Sequence, residues 1–415
     1  MTILDRAIAY GWKMFGLEGL LDQVADGRLR PQIPMGVIVR SALGMQLNAL
    51  GSLNALEQTK EKPFWKRWLG CALPSADTIG RAMGQVEALV GLRQTLHEFY
   101  ARRKRNKSLG PYAGGLCALL IDGHEVSASR KRRCRGCSRR TVKAADAEVI
   151  EHYHRVVMGT LLCGKSRLPL DVELQRPGED EVAAAERLLG RVLDAYPRAF
   201  DVIVVDGLYP REEFLRTALD RGKEVVIVLK NEALELLKDA RGLFALQRPV
   251  EVNEVARRSL WWDIEGFDHW VGFRTPLRVV RSIETTRRRR QSGGRIERTR
   301  NEWVWMTSLT KARASTEMIV RLGHGRWSIE NEGGFNTLVN QWHADHLYRH
   351  TPEALEAFWL LVMIAFGLFH ALLERNLKPA LRARHTEKHF LEEIRSELYQ
   401  DTLAIDWFAP TAKPP

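Results

Sequence analysis

Along the chain, apolar positions change their spacing three times. From Val37 to Leu56, Ala, Leu and Met recur with polar interruptions at helical spacing. Residues 1 to about 100 therefore predict helices. In Pro74-Ser75-Ala76-Asp77, Ser75 or Asp77 can cap the helix that follows. A glycine-rich stretch, Gly110 to Gly115, then marks a boundary. Beyond it come short apolar runs that predict strands: Leu116–Asp122 (LCALLID), Ile150–Leu162 and Leu168–Leu174. Val182, Ala185, Leu189, Val192, Leu193 and Tyr196 then repeat every three or four residues, and Pro197 ends that helix. Asp201–Asp206 (DVIVVD) and Glu224–Leu229 (EVVIVL) read as buried strands on either side of a helix over Pro210–Asp220. Strands interleaved with helices in this way predict an α/β layered domain on a mixed sheet. A strand-rich region follows over residues 240–310. From Thr316 onward the pattern is helical, with breaks at Gly323, Gly325 and Pro352.

The most apolar stretch, Ala357–Phe369, has thirteen residues. As a helix it reaches about 20 Å, against roughly 30 Å of bilayer core, and so predicts a buried helix and no membrane partner. The N-terminus lacks the basic-then-apolar pattern of a secretory signal, and five cysteines are too few for a disulfide framework. Both point to a reducing, cytoplasmic setting.

Charge changes the picture more. The 415 residues carry a formal net charge of +12. Arg102–Lys107 holds five basic residues, Arg130–Arg140 seven, and Arg281–Arg300 eight against Glu284 and Glu297. These runs exceed the net charge of the whole chain, so the remainder is acidic. An excess concentrated in three short segments suits a polyanion gripped at defined places. Within them Arg132, Arg133, Arg287, Arg288, Arg289 and Arg290 are the candidate DNA contacts.

Two acids close apolar runs and are each followed by glycine: Asp122 in LLIDGHE and Asp206 in VVDGLYP. A carboxylate at a strand end is held by the sheet yet faces the edge where ligands bind. A third acid, Glu330, lies in the helical segment Arg326–Asn331, with Arg326 one turn before it on the same face. Arg326 can clamp a phosphate or form an ordinary i,i+4 ion pair. Three carboxylates supply the hard oxygen donors that favour Mg²⁺ or Mn²⁺.

The segments LLIDGHE, Cys134-x2-Cys137 in its basic setting, Glu151-His152-Tyr153-His154, DVIVVDGLYP and RWSIENEGGFNTLVN occur in that order. With them the chain, from roughly Pro74 to Phe369, resembles bacterial insertion-sequence transposases of the DDE type. The resemblance implies an RNase H-like α/β core, with Asp122, Asp206 and Glu330 as catalytic and metal-binding residues. It also implies a strand-rich insertion in that core. Many relatives carry a Tyr-x2-Arg-x3-Glu-x6-Lys signature at the third acid. Here Arg326 and Glu330 match, while Gly323 and Thr337 replace the Tyr and Lys that usually contact DNA phosphates.

The resulting domain reading is a helical N-terminal domain over 1–108, for DNA binding or dimerisation, and the first part of the core over 109–239. The insertion takes 240–310, the catalytic helix 311–350, and C-terminal helices 351–415. The implied activity is two-metal cleavage at terminal inverted repeats and strand transfer into target DNA, by a homodimer in a synaptic complex. A nuclease without strand transfer and a non-catalytic DNA-binding descendant are the alternatives.

Three side features are weaker. His152 and His154 share a strand face near Cys134 and Cys137, but one CxxC and an H-x-H pair are not the usual finger spacing, which argues against zinc. His343, Asp345, His346 and His350 read as surface polarity. Trp261, Trp262, Trp270, Trp303 and Trp305 either stack on an unpaired base or, as is commoner for aromatics in a small β region, fill a core.

Overall fold

The computed structural model describes residues 2–399 except 107–108, 145–146, 165, 232–233, 269–275, 290–295 and 332–333. Helices come first: α1 (Ile3–Phe15), α2 (Leu17–Asp22), α3 (Met35–Leu47), α4 (Leu53–Glu57), α5 (Pro63–Leu69), α6 (Ala76–Met83) and α7 (Val86–Arg105). Ser75 caps α6 as expected, its hydroxyl accepting from the Thr78 amide at 3.3 Å. Then follow β1 (Ala118–Ser129), β2 (Ser138–Ala144), β3 (Ala147–Cys163), β4 (Ser166–Leu174), α8 (Glu181–Ala195), β5 (Val202–Val205), α9 (Glu212–Asp220), β6 (Glu224–Val228) and α10 (Glu235–Ala245). The strand-rich region comprises β7 (Val250–Asn253), β8 (Arg257–Phe267), β9 (Leu277–Arg289) and β10 (Ile296–Thr307). The chain closes with α11 (Thr316–Gly325), α12 (Trp327–Glu330), α13 (Phe335–Trp342), α14 (Pro352–Asn376), α15 (Pro379–Arg384) and α16 (Glu387–Tyr399).

Among the described residues the strands form one mixed sheet in the order β2-β3-β1-β5-β6-β10-β9-β8-β7, with β4 also paired to β3. At its centre β1, β5 and β6 are parallel, and β3 and β4 are antiparallel to their neighbours. This is the RNase H-like arrangement. β5 is buried throughout, as an all-apolar strand covered on both faces must be. The strand-rich region begins inside the span of α10 and is continuous with the core, because β10 pairs directly with β6.

Two details depart from the sequence reading. Asp122 does not end its strand: β1 runs on to Ser129, paired with β3 as far as His152. The basic run Arg130–Arg140 partly joins β2, whose Arg140 stands opposite Glu151.

α14 is long and apolar enough to cross a membrane, yet 94% of its apolar window is buried inside the protein. It is the shared core helix between the N-terminal helices and β4. Buried charge ties these layers together. Asp171 on β4, wholly buried, accepts from Arg93 (3.1 Å) and His97 (3.0 Å) of α7 and from Arg191 (3.2 Å) of α8. Arg93 also reaches Glu356 of α14 at 3.1 Å. The first basic run is drawn into the same architecture. Arg103 is fully buried, donating to the Gly367 carbonyl at 2.8 Å and to Glu374 at 3.0 Å. Arg102 and Arg105 both pair with Glu98. At the chain's far end, Glu397 of α16 accepts from the amides of Ile3 and Leu4, capping α1.

Burial alone would raise the Asp171 carboxyl. The His97 hydrogen bond and the Arg191 and Arg93 charges outweigh it and hold the group well below the usual carboxylate range. A depressed carboxyl contributes stability above its unfolded pKa and loses that contribution as pH falls through the folded value. Asp171→Asn should therefore cost about 3–5 kcal/mol near neutral pH. The gap to wild type should shrink only below about pH 4. Urea unfolding at a series of pH values checks this; a gap that stays constant into acid would assign the loss to packing.

Candidate active site

The short central strands stop early while their neighbours continue. β5 ends at Val205 and β6 at Val228, level with Trp305 of β10. Because β10 is antiparallel to β6, the residues before Trp305 rise past the C-terminal ends of the parallel strands. So does β1 beyond Asp122, on the other side. Two arms thus flank a notch over β5 and β6, with roughly 14 Å, or three strand spacings, between the axes of β1 and β10. The β1-β3-β2 arm carries the Arg130–Arg140 loop, and the β9-β10 hairpin carries the third basic run, Arg281–Arg300.

At the floor of the notch, the Oδ1 atoms of Asp122 and Asp206 are fixed by local backbone amides. Gly123 N–H donates to Asp122 at 3.0 Å and Leu208 N–H to Asp206 at 2.8 Å. Lys230, two residues past the end of β6, sits 3.8 Å from Asp206. The third acid arrives on a helix broken to fit. α12 ends at Glu330, and Phe335 of α13 stacks on His124 of β1 with ring centroids 4.7 Å apart. A Cβ on Gly334 would lie 1.9 Å from the Ile329 carbonyl oxygen, so only glycine allows this turn. Gly333, the other half of that pair, lies outside the described residues.

Arg326 joins the acids. Its guanidinium is 2.8 Å from Asp122 Oδ2 and 2.9 Å from Glu330 Oε1, with the side chain buried. The i,i+4 ion pair is thus present, and the same arginine holds β1 as well. Burial pushes the Asp122 carboxyl up to about 6; Glu181 and Asp206 add to the rise, and Arg326 opposes it.

Glu181, at the first turn of α8, escaped the sequence reading. It accepts from the buried Tyr209 hydroxyl at 2.8 Å, lies 3.3 Å from Arg155, and fills the space that a side chain at position 123 would need. Its only signal was its place directly after Asp180, which caps α8 by accepting from the Ala183 amide at 3.0 Å. Lys230 could have been found as a basic residue just beyond a strand end. Trp327, 45% exposed beside Arg326, is the aromatic that the region presents to solvent. Of the tryptophans in the strand-rich region, Trp305 is buried and stacks with Trp303, and Trp262 donates to Gln247. Trp270 lies outside the described residues. Gly323, at the position of the relatives' Tyr, faces the Trp305 indole at a distance that leaves no room for a side chain. Thr337, at the Lys position, donates to the Asn331 carbonyl.

The candidate DNA contacts fall on the two arms. Arg132 and Arg133 are exposed in the loop before β2, and neither makes an ion pair among the described residues. Arg287 is exposed on β9 and stands opposite Arg298; Arg288 stands opposite Glu297. Like charges directly across a ladder repel, a cost that an anion between them would relieve. Arg289 ends β9, and Arg290 lies outside the described residues.

The acids suit a hard divalent cation in donor type and charge. One guanidinium already holds positive charge between Asp122 and Glu330. Elsewhere, Cys134 and Cys137 gather with His154 and His350. The sequence reading had offered His152 as the second imidazole and His350 as surface polarity.

Residues 113–368 match the family model described as Transposase DDE domain. Among solved structures, a cryo-EM structure of the piggyBac transposase synaptic complex with hairpin DNA is similar. Its identity is 11% and its TM-score 0.45, over 95% of this chain and 80% of that one. No curated protein matches the sequence.

Arg326→Ala strands two carboxylates beside Glu181. With Glu330 40% exposed, the cost should sit at the low end for a broken buried pair, about 3 kcal/mol. Urea unfolding in chelator measures it; a loss below about 0.5 kcal/mol would make the bridge a surface pair.

Proposed function

The chain belongs to the family of transposase DDE domains, and on that premise we propose that it is a DNA transposase acting through Asp122, Asp206 and Glu330. It cleaves a phosphodiester at each terminal inverted repeat of an insertion sequence and joins the freed 3′ hydroxyl to target DNA. The observation that carries this reading is the meeting of Asp122 and Glu330 on one buried guanidinium, at the sheet edge where Asp206 also lies.

The three carboxylates would hold Mg²⁺ or Mn²⁺, which when bound activates the attacking oxygen and stabilises the leaving one. The protein's own groups do the rest. The Gly123 and Leu208 amides orient two of the acids. Tyr209 and Arg155 hold Glu181 in place beneath Asp122. Arg326 balances the carboxylates, and with a cation bound its guanidinium is free to clamp a DNA phosphate. Lys230 is placed to meet phosphate beside Asp206. The arginines of the two arms supply non-specific grip along the duplex. Both ends of an element must be handled together, so a homodimeric synaptic complex, acting on DNA in the bacterial cytoplasm, completes the reading.

Asp122→Asn, Asp206→Asn and Glu330→Gln should each abolish cleavage and strand transfer while DNA binding survives. Terminal-repeat DNA in Mg²⁺, followed by incubation with a supercoiled target, reads both steps. Near wild-type cleavage by any one variant removes that residue from the site, and cleavage without joined products from wild type would make the protein a nuclease.

Replacing Arg287–Arg290 with Ala should weaken DNA binding. It should also reduce the slope of log K against log salt by roughly 0.9 per lost phosphate contact. An unchanged slope means that these arginines face only solvent.

A further inference from the structure

Outside the acid site, four side chains from three distant parts of the chain converge. Cys134 and Cys137 lie in the basic loop, His154 on β3, and His350 in the turn before α14. His154 Nε2 is 3.3 Å from both sulfurs. Cys137 Sγ is 3.3 Å from His350 Nε2, the two sulfurs are 3.7 Å apart, and the two imidazole nitrogens are 3.1 Å apart. Among the described residues these are the metal-competent side chains whose donor atoms all fall within 4.8 Å of one another.

The distances describe a particular solid. A tetrahedral zinc ion, with Zn–S of about 2.3 Å and Zn–N of about 2.0–2.1 Å, requires edges of about 3.8 Å between sulfurs. It requires about 3.5 Å from sulfur to nitrogen and about 3.3 Å between nitrogens. Five of the six edges follow the same order and fall within about 0.2 Å of these values; the sixth, from Cys134 Sγ to the His350 imidazole, is within 4.8 Å. Hydrogen bonding does not account for the cluster. Five short contacts need five protons, and two thiols and two imidazole nitrogens carry at most four, two of which would face each other.

We propose that Cys134, Cys137, His154 and His350 bind one structural Zn²⁺. All four positions come from protein, which leaves none open for substrate, as in structural rather than catalytic sites. Soft thiolates select zinc over the hard cations suited to the acid site. Two thiolates would neutralise the ion's charge. The Cys134 amide donates to Cys137 Sγ at 3.2 Å, closing the CxxC turn around the ligands.

The ion's work is mechanical. It pins the Arg130–Arg140 loop to β3 and to the N-terminal end of the core helix α14. There Arg135 also pairs with Glu353, and Gly136 rests against Pro352. The exposed Arg132 and Arg133 are thereby held on a rigid support beside the notch. This site is separate from the acids: its ligand His154 lies four positions along β3, roughly 13 Å of strand, from Met158, which stands opposite Asp122.

The test is elemental analysis of the full chain purified without added metal. Wild type and Asp122→Asn should each carry about one zinc per chain. Cys134→Ser, Cys137→Ser and His350→Ala should fall to background after a chelator wash. Folded wild type without zinc, or a Cys134–Cys137 disulfide in its place, overturns the proposal. So does His350→Ala protein that keeps its full complement. Should the cysteine variants fail to fold, cobalt exchange into wild type decides: tetrahedral d–d bands with sulfur-to-cobalt charge transfer support the site, and an octahedral spectrum overturns it. Trypsin should cut zinc-stripped protein first within Arg130–Arg140, and an unchanged digestion pattern would contradict the mechanical role.

Discussion

The length of two strands governs this molecule. β5 and β6 have four and five residues and are almost wholly buried. Their neighbours β1 and β10 have twelve each. A sheet with a short centre and long flanks must have a notch at one edge. The parallel pairing of β1, β5 and β6 puts their C-terminal ends at that edge. Asp206 follows β5 directly, and Asp122 marks where β1 leaves β5 behind. The antiparallel β10 brings the arginine hairpin to the same side, because its N-terminal half has nowhere else to go. Acid site and basic arms therefore share a location for one topological reason. Lengthening β5 or β6 would fill the notch with backbone before any of the three acids was altered.

The positive charge of the chain divides by partner. Arg103 is spent inside, against a carbonyl and Glu374, and Arg93 and Arg191 bind the layers through Asp171. Arg140 lies between Glu125 and Glu151. These arginines stabilise the fold and offer nothing to a polyanion. Arg132, Arg133 and Arg287 remain exposed. Net charge alone cannot separate the two groups, since it counts Arg103 and Arg133 equally. The separation depends on whether an acid lies opposite in the folded chain, and Glu374 is 271 residues from Arg103.

The same distinction explains what could be read without coordinates. Period-two and helical apolar spacing depends on near neighbours, so β3, β4, α8, β5, α9 and β6 were all legible in order, as were Asp206 beyond its strand and Arg326 one turn from Glu330. The apolar run LCALLID stops at Asp122, which puts that residue at a strand end on local spacing alone. The strand continues because Gly123 has no side chain to displace Glu181. The full Cys/His cluster was not legible for a similar reason. Cys134, Cys137 and His154 are close in sequence, but the fourth donor comes 196 residues after His154. Spacing rules for zinc describe ligands on one or two adjacent elements and miss a donor supplied by the far side of a core. His152, on the same face of β3 two residues away, was the natural local choice, but the second imidazole of the cluster is that of His350.

The acid site also shows why its parts cannot be judged singly. Asp122 is half-buried, and desolvation, Glu181 and Asp206 all raise its carboxyl. Like charges so arranged oppose folding unless a cation stands among them. In this structure Arg326 does so, at the cost of occupying the space between two of the acids. A divalent ion held there, as proposed, would supply more charge in a smaller volume and release the guanidinium from that duty. Glu181 cannot move away, since Tyr209 and Arg155 hold it. The pressure on Asp122 therefore persists until either Arg326 or a metal relieves it. On the proposed function, arginine and metal would be alternative counter-charges for one set of carboxylates. That exchange would link the stability of the resting protein to the phosphate-binding duty proposed for Arg326, because the residue would become available to DNA as the metal took its place.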